Sequence, residues 1–236
     1  MILPRRCSPP ITVKTFKPSI IAPLSLAMAL AVSTGCAYHG TLRNGFYERG
    51  ESPQKLPLNA NLVCGESMER NEFVAQDVYF SHSVHIKTHP ALSQALTEMC
   101  RAEFDRVSVT RSARNDGEAE IVLLPRFEMR EEVLELTVVA RSGNSGELLH
   151  EYRSAGNFVL SIPVGVHVMG GVNIAFCGLL SPIFTPAATS ILGHKAEKVL
   201  EQRLATSLNQ IAEDIRNDLS LVGKARASAP VETPDS

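Results

Sequence analysis

The sequence predicts an α+β fold: a small mixed or antiparallel sheet with one packed helix, a hairpin meander, and a long C-terminal amphipathic helix. Three observations predict it. Apolar residues recur at every second position in several short runs between residues 58 and 154, the period of half-buried strands. Between two of these runs, Leu92, Leu96, Met99, Cys100 and Phe104 recur at helical spacing. Near the C-terminus, Ala196, Leu200, Leu204, Leu208, Ile211, Ile215 and Leu219 form an apolar stripe, with Glu197, Lys198, Glu201, Arg203, Glu213 and Arg216 on the other sides.

The length of 236 residues fits one domain, or one domain with appendages. With 44% apolar and 20% charged residues, the composition is that of a globular chain, not a mostly disordered one. The 23 basic and 25 acidic residues nearly balance, which argues against a nucleic-acid partner. The balance is uneven along the chain. Residues 1–35 hold Arg5, Arg6, Lys14 and Lys17 and no acid. Setting those four aside leaves 19 basic against 25 acidic residues, a net charge of −6.

Leu58, Ala60, Leu62 and Cys64 alternate with Asn59, Asn61 and Val63 and read as a half-buried strand. Gly65–Asn71 is polar and reads as a loop. Val78, Phe80, Val84 and Ile86 alternate with Asp77, Tyr79, Ser83 and His85, a second strand. Thr88-His89-Pro90 opens a helix, because proline is tolerated in a first turn, and that helix should end near Asp105. Val107–Thr110 is a short strand and Ser112–Gly117 a turn. Ala119, Ile121, Leu123, Pro125, Phe127 and Met129 form one face of a long strand, with Pro125 suggesting an edge or a bulge. Leu134, Leu136, Val138 and Ala140 make the next strand. Ser142-Gly143-Asn144-Ser145-Gly146 is a hairpin turn, and Glu147–Ser154 returns. The periodic region, 58–157, is thus a β-α-β pattern leading into a three-stranded meander.

Residues 36–57 carry Gly40, Gly45, Gly50, Pro53 and Pro57 and read as a tether with little regular structure. The C-terminal helix is expected over 194–221, and 222–236 reads as a disordered tail. Between Arg153 and Lys195 lie 41 residues without one Asp, Glu, Lys or Arg. The segment 158–193 admits three readings. It is a buried, Gly-rich connection under the C-terminal helix, or a membrane-inserted loop or oligomer interface, or a transmembrane helix. Its glycines and prolines weigh against the third. Thr185-Pro186 looks like the cap and first residue of a helix that runs on into the C-terminal one.

Chemistry-bearing residues are few. His82, His85 and His89 are close in sequence. On a strand, positions 82 and 85 point to opposite faces, so they do not jointly hold a metal without a bulge. No metal site is therefore expected. Cys64 lies on the apolar face of the first strand and Cys100 on that of the first helix. These faces pack together, so a Cys64–Cys100 disulfide is open to them; the alternative is two buried thiols acting as small hydrophobes. Glu128, Arg130, Glu131 and Glu132 read as a solvated charge cluster. No nucleophile elbow, phosphate-binding glycine loop or zinc-protease signature is present. No catalytic residue and no cofactor is expected.

The amino-terminal residues carry an address. A basic n-region, the apolar run 19–32 and the small residues Ser33, Thr34 and Gly35 compose a secretory signal peptide over residues 1–35. The apolar run of 14 residues is short of the roughly 20 a transmembrane helix needs. Ser33-Thr34-Gly35-Cys36 resembles the lipobox of bacterial lipoproteins, with Ser33 where that box usually has Leu. The resemblance implies cleavage before Cys36 and acylation of Cys36. Burying acyl chains at about 0.8 kcal/mol per CH₂ would anchor the chain stably. Ala37 after the cysteine implies sorting to the outer membrane. An ordinary secreted protein, with Cys36 as a free or bridged thiol, is the alternative.

A second likeness covers about 70 residues. Leu56-Pro57-Leu58, His89-Pro90-Ala91-Leu92, Phe104-Asp105-Arg106-Val107 and Ala119-Glu120-Ile121-Val122-Leu123-Leu124-Pro125 resemble words of the TolB amino-terminal domain and of the periplasmic domain of the curli-secretion lipoprotein. That resemblance implies a scaffold that docks or oligomerises. The expected function is that of a lipid-anchored envelope protein facing the periplasm. Its partners would be membrane lipid, through acylated Cys36, and an envelope protein or further copies of itself. One rival is a pore-associated or secretion subunit that inserts 158–193 into the outer membrane. The other is a hydrolase without a recognisable motif.

Overall fold

In the computed structural model the described residues are 37–47, 54–65, 68, 72–76, 83–112, 119–130, 133–158, 164–175 and 181–228, all within one unit, Gly35–Ser236. The strands are β1 (Tyr38–Thr41), β2 (Leu56–Val63), β3 (Glu72–Gln76), β4 (Ser83–Lys87), β5 (Phe104–Thr110), β6 (Ile121–Arg130), β7 (Val133–Ser142) and β8 (Leu148–Asn157). The helices are α1 (Ala91–Glu103), α2 (Val164–Ala175), α3 (Ser181–Asn217) and α4 (Ser220–Ala227). The fold is α+β, as the periodicity predicts.

Two sheets share it. The larger has the order β5-β2-β6-β7-β8, with β2 parallel to both β5 and β6 and the meander β6-β7-β8 antiparallel. α1 is the crossover between β2 and β5, as a parallel pair requires. The smaller sheet has the order β1-β4-β3, with β1 parallel and β3 antiparallel to β4. β2 has partners on both edges and is covered on both faces. Asn61 and Val63, on the face expected to be wet, are 3% and 7% exposed. A central parallel strand reads as a nearly continuous buried run rather than an alternating one. The buried Asn61 is satisfied across the sheet, its Oδ1 accepting from Ser108 Oγ at 3.3 Å and Thr110 Oγ1 at 3.1 Å.

The long helix α3 is the common floor. It packs against β1 and β4 of the small sheet, β7 and β8 of the large one, and α1. Ala196, Leu200, Leu204, Leu208, Ile211 and Ile215 are all fully buried in the one large core cluster. Arg216 of α3 forks onto Glu103 at the end of α1, its Nη2 donating to Oε1 at 2.9 Å and Nε to Oε2 at 3.2 Å. Phe73 of β3 meets Phe158, just past β8, edge to face at 4.6 Å between ring centres.

Several boundaries differ from the sequence reading, each for a physical reason. Tyr38–Thr41 is a strand rather than tether, and Leu42 and Tyr47 after it are buried. Its pairing partner, β4, lies more than 40 residues away, so no local pattern announced it. Of the expected second strand, Ser83–Ile86 lies in β4, and a further strand before it, β3, pairs antiparallel with β4; Val78, Phe80 and the turn at 113–117 lie outside the described residues. α1 ends at Glu103, because Phe104 already has extended backbone and starts β5. Pro125 sits in β6 where β2 no longer pairs, since that pairing covers only Ile121, Val122 and Leu123. The proline therefore removes no donor that β2 needs.

The described residues of the apolar segment past Phe158 form α2 and the first third of α3. α3 starts at Ser181 and runs through Pro186 instead of beginning there. α2 covers one side of α3 through Val166, with Ala188 and Leu192 opposite and Met169 beside them. Its other side, with Val164 at 78% and Val168 at 58% exposure, is open. Among the described residues no helix is long and apolar enough to cross a membrane. The expected disordered tail instead begins with α4, which buries Leu221 and Ala225 against the core.

Candidate functional site

Cys36 lies outside the described residues, but in sequence it precedes β1 by only two positions. Two residues of fully extended chain span at most about 7 Å. The first described contacts of the chain after Cys36 are made where β1 meets α3. Tyr38, the first residue of β1, donates its hydroxyl to Glu197 Oε1 at 2.9 Å and lies 3.1 Å from His194 Nδ1. The Tyr38 and His194 rings meet edge to face, with centres 5.5 Å apart. Burial, and then the hydrogen bond to Glu197 and its charge, push the Tyr38 hydroxyl up to about 12, so it stays protonated and keeps donating. A few residues on, the Arg43 backbone N–H donates to Glu201 Oε1 at 3.1 Å. Arg43, His194, Glu197, Lys198 and Glu201 line an open cleft there.

Two glycines make the approach close. A β-carbon on Gly193 would overlap the Tyr38 ring, and one on Gly40 would overlap the Glu197 carboxylate. Leu192, next to Gly193, carries α2. β1 and α2 thus occupy neighbouring stripes of the same part of α3.

Cys64 and Cys100 do not form a reactive pair. Cys64 and Cys100 are free, buried thiols, so the bridge open to them in sequence is not made. Burial raises both thiols above their ordinary value, and for Cys100 the neighbouring Cys64 and Glu103 add to it. A thiol held protonated in an apolar core is a poor nucleophile and a poor metal ligand. Glu128 is exposed, as a solvated charge would be.

Of the three histidines close in sequence, His82 lies outside the described residues and His89 stands just before α1. His85 instead finds partners on other strands. Its ring stacks on that of His39, 5.0 Å between centres and 24° between planes, and its Nδ1 lies 3.4 Å from Glu72 Oε1. Spacing along the chain missed this trio because its members come from three strands.

A third polar cluster holds α4. Asp218, between α3 and α4, accepts from Tyr152 Oη at 3.0 Å and from Ser220 Oγ at 2.6 Å, and receives the Ser220 backbone N–H at 3.1 Å. Burial opposes its charge, but the bonds from Ser220 and Tyr152, with His150 and Lys224 nearby, outweigh it and hold the carboxyl below its ordinary 3.8. This is an Asx-type turn just ahead of α4, whose N-cap residue is Leu219.

No family model matches the chain, and no curated protein matches it. Among solved structures the chain is similar to protein XCC0632 from Xanthomonas campestris, of family DUF330, with a TM-score of 0.44, 8% identity, and coverage of 83% of this chain and 100% of that one.

Proposed function

We propose that this chain is a lipoprotein of the cell envelope. Acylated Cys36 anchors it to the outer membrane, and the folded unit faces the periplasm in a non-catalytic binding, scaffold or assembly role. The observation that carries the reading is the sequence Ser33-Thr34-Gly35-Cys36 behind a basic and then apolar leader. Two features of the fold support it. The interval of two residues between Cys36 and β1 would hold the β1–α3 junction at headgroup depth. α2 packs on that same part of α3 through Val166, and its open side, with Val164 and Val168, is an exposed apolar surface that a bilayer would cover. α2 has 12 residues and is about 18 Å long, well short of a hydrocarbon core of about 30 Å. That favours a helix lying on the membrane over one crossing it.

The test is metabolic labelling with radioactive palmitate of cells making the wild type or Cys36→Ala, followed by membrane fractionation. The expected result is label and outer-membrane density for the wild type only. Equal label on both proteins would refute the anchor.

A further inference from the structure

We propose that His39, Glu72 and His85 form a binding site for a divalent zinc-class metal ion on the outer face of the small sheet. The strand register builds it. His39 of β1 and His85 of β4 are direct partners in the parallel pair, so their side chains leave the same face on strands about 4.8 Å apart. Val74 of β3 stands opposite His85, and Glu72, two residues earlier, shares its face because side chains alternate along a strand. The other face is filled by Phe73, Val84 and Ile86, each nearly fully buried. The trio is thus mounted on a sheet whose back is fixed in the core, with its front open to solvent.

One donor atom from each of the three residues lies within 4.8 Å of the others. Zinc bonds of about 2.1 Å in tetrahedral geometry bring donors to about 3.4 Å apart, within reach of small side-chain rotations on a fixed backbone. A glutamate beside one histidine makes an ion pair and needs no more. Here a second imidazole is stacked on the first, which adds a second nitrogen donor, and among the described residues no second acid joins the group. Two imidazoles and one carboxylate are a donor set that suits zinc, and three protein ligands leave a coordination position for water or a partner's side chain. The buried thiols of Cys64 and Cys100 do not belong to it.

The experiment uses the full-length protein in mild detergent, stripped with a chelator and titrated with Zn²⁺ by calorimetry, and with Co²⁺ by visible absorption. The expected result is one equivalent bound in the micromolar range or tighter, with a d–d spectrum free of sulfur charge transfer. His39→Ala and His85→Ala should each weaken binding about tenfold or more, Glu72→Gln should weaken it less, and His167→Ala should not change it. Zn²⁺ should raise the melting temperature of the wild type and not that of His39→Ala. The affected side chains are partly or largely exposed, so the metal-free variants should melt with the wild type. A millimolar affinity, binding that survives both His39→Ala and His85→Ala, or a cobalt–thiolate band would overturn the proposal.

Discussion

A β-carbon at Gly193 would overlap the Tyr38 ring near its attachment point, where the ring has little freedom to swing away. In an exposed helix, replacing glycine with alanine gains about 1 kcal/mol of propensity. Here overpacking opposes that gain, at about 1–3 kcal/mol. Gly193→Ala is therefore expected to destabilise the protein, and Gly193→Ala in a Tyr38→Ala background to recover the propensity gain. Urea unfolding of the two variants and their parents measures both signs. A stabilised single variant would show that the ring yields freely. The same junction shows how a tyrosine becomes structural: its hydroxyl, kept protonated by burial and Glu197, ties the first strand to a helix more than 150 residues away.

At the scale of elements, Asp218 links acid to the docking of α4. Its carboxyl is held below 3.8 in the folded protein, so the charged form is favoured by folding. The stabilisation it brings is complete above the ordinary value and drains away as pH falls through the lower, folded one. The stability gap between wild type and Asp218→Asn should shrink as pH falls below about 4. Urea midpoints at several pH values test this; a gap independent of pH would remove Asp218 from the acid response. α4 itself shows what local pattern could not supply. Ser220–Ala227 buries only Leu221 and Ala225, too few to mark a helix in the sequence, and the turn before it is tied to Tyr152 of β8 through Asp218. The α3 stripe and the meander were legible because their periods are local. β1 and β3 were not, because short strands with glycine or charge take their identity from partners far along the chain. The same holds for the site. The address around Cys36 is a contiguous word, whereas His39, Glu72 and His85 are gathered only by strand register.

At the scale of the whole molecule, both sheets lean on one helix. Leu208 is fully buried in a cluster that takes in β2, β4, β6, β7, α1 and α3. Leu208→Ala should cost about 2–5 kcal/mol, by lost transfer energy and the cavity left behind. Because the helix serves both sheets, the variant should still unfold in one transition at a lower denaturant midpoint. Separate transitions followed by tyrosine fluorescence and by far-ultraviolet circular dichroism would show that the sheets are independent. The placement of β1 has a mechanical consequence. A pull on the chain at residue 37 is delivered along β1, whose four residues pair side by side with β4 and whose first side chain is bonded to α3. Such a load shears the pairs together instead of peeling them one by one. Rupture under force then depends on the height of one barrier rather than on equilibrium stability, and the strand that enters the fold first is the one that bears tension.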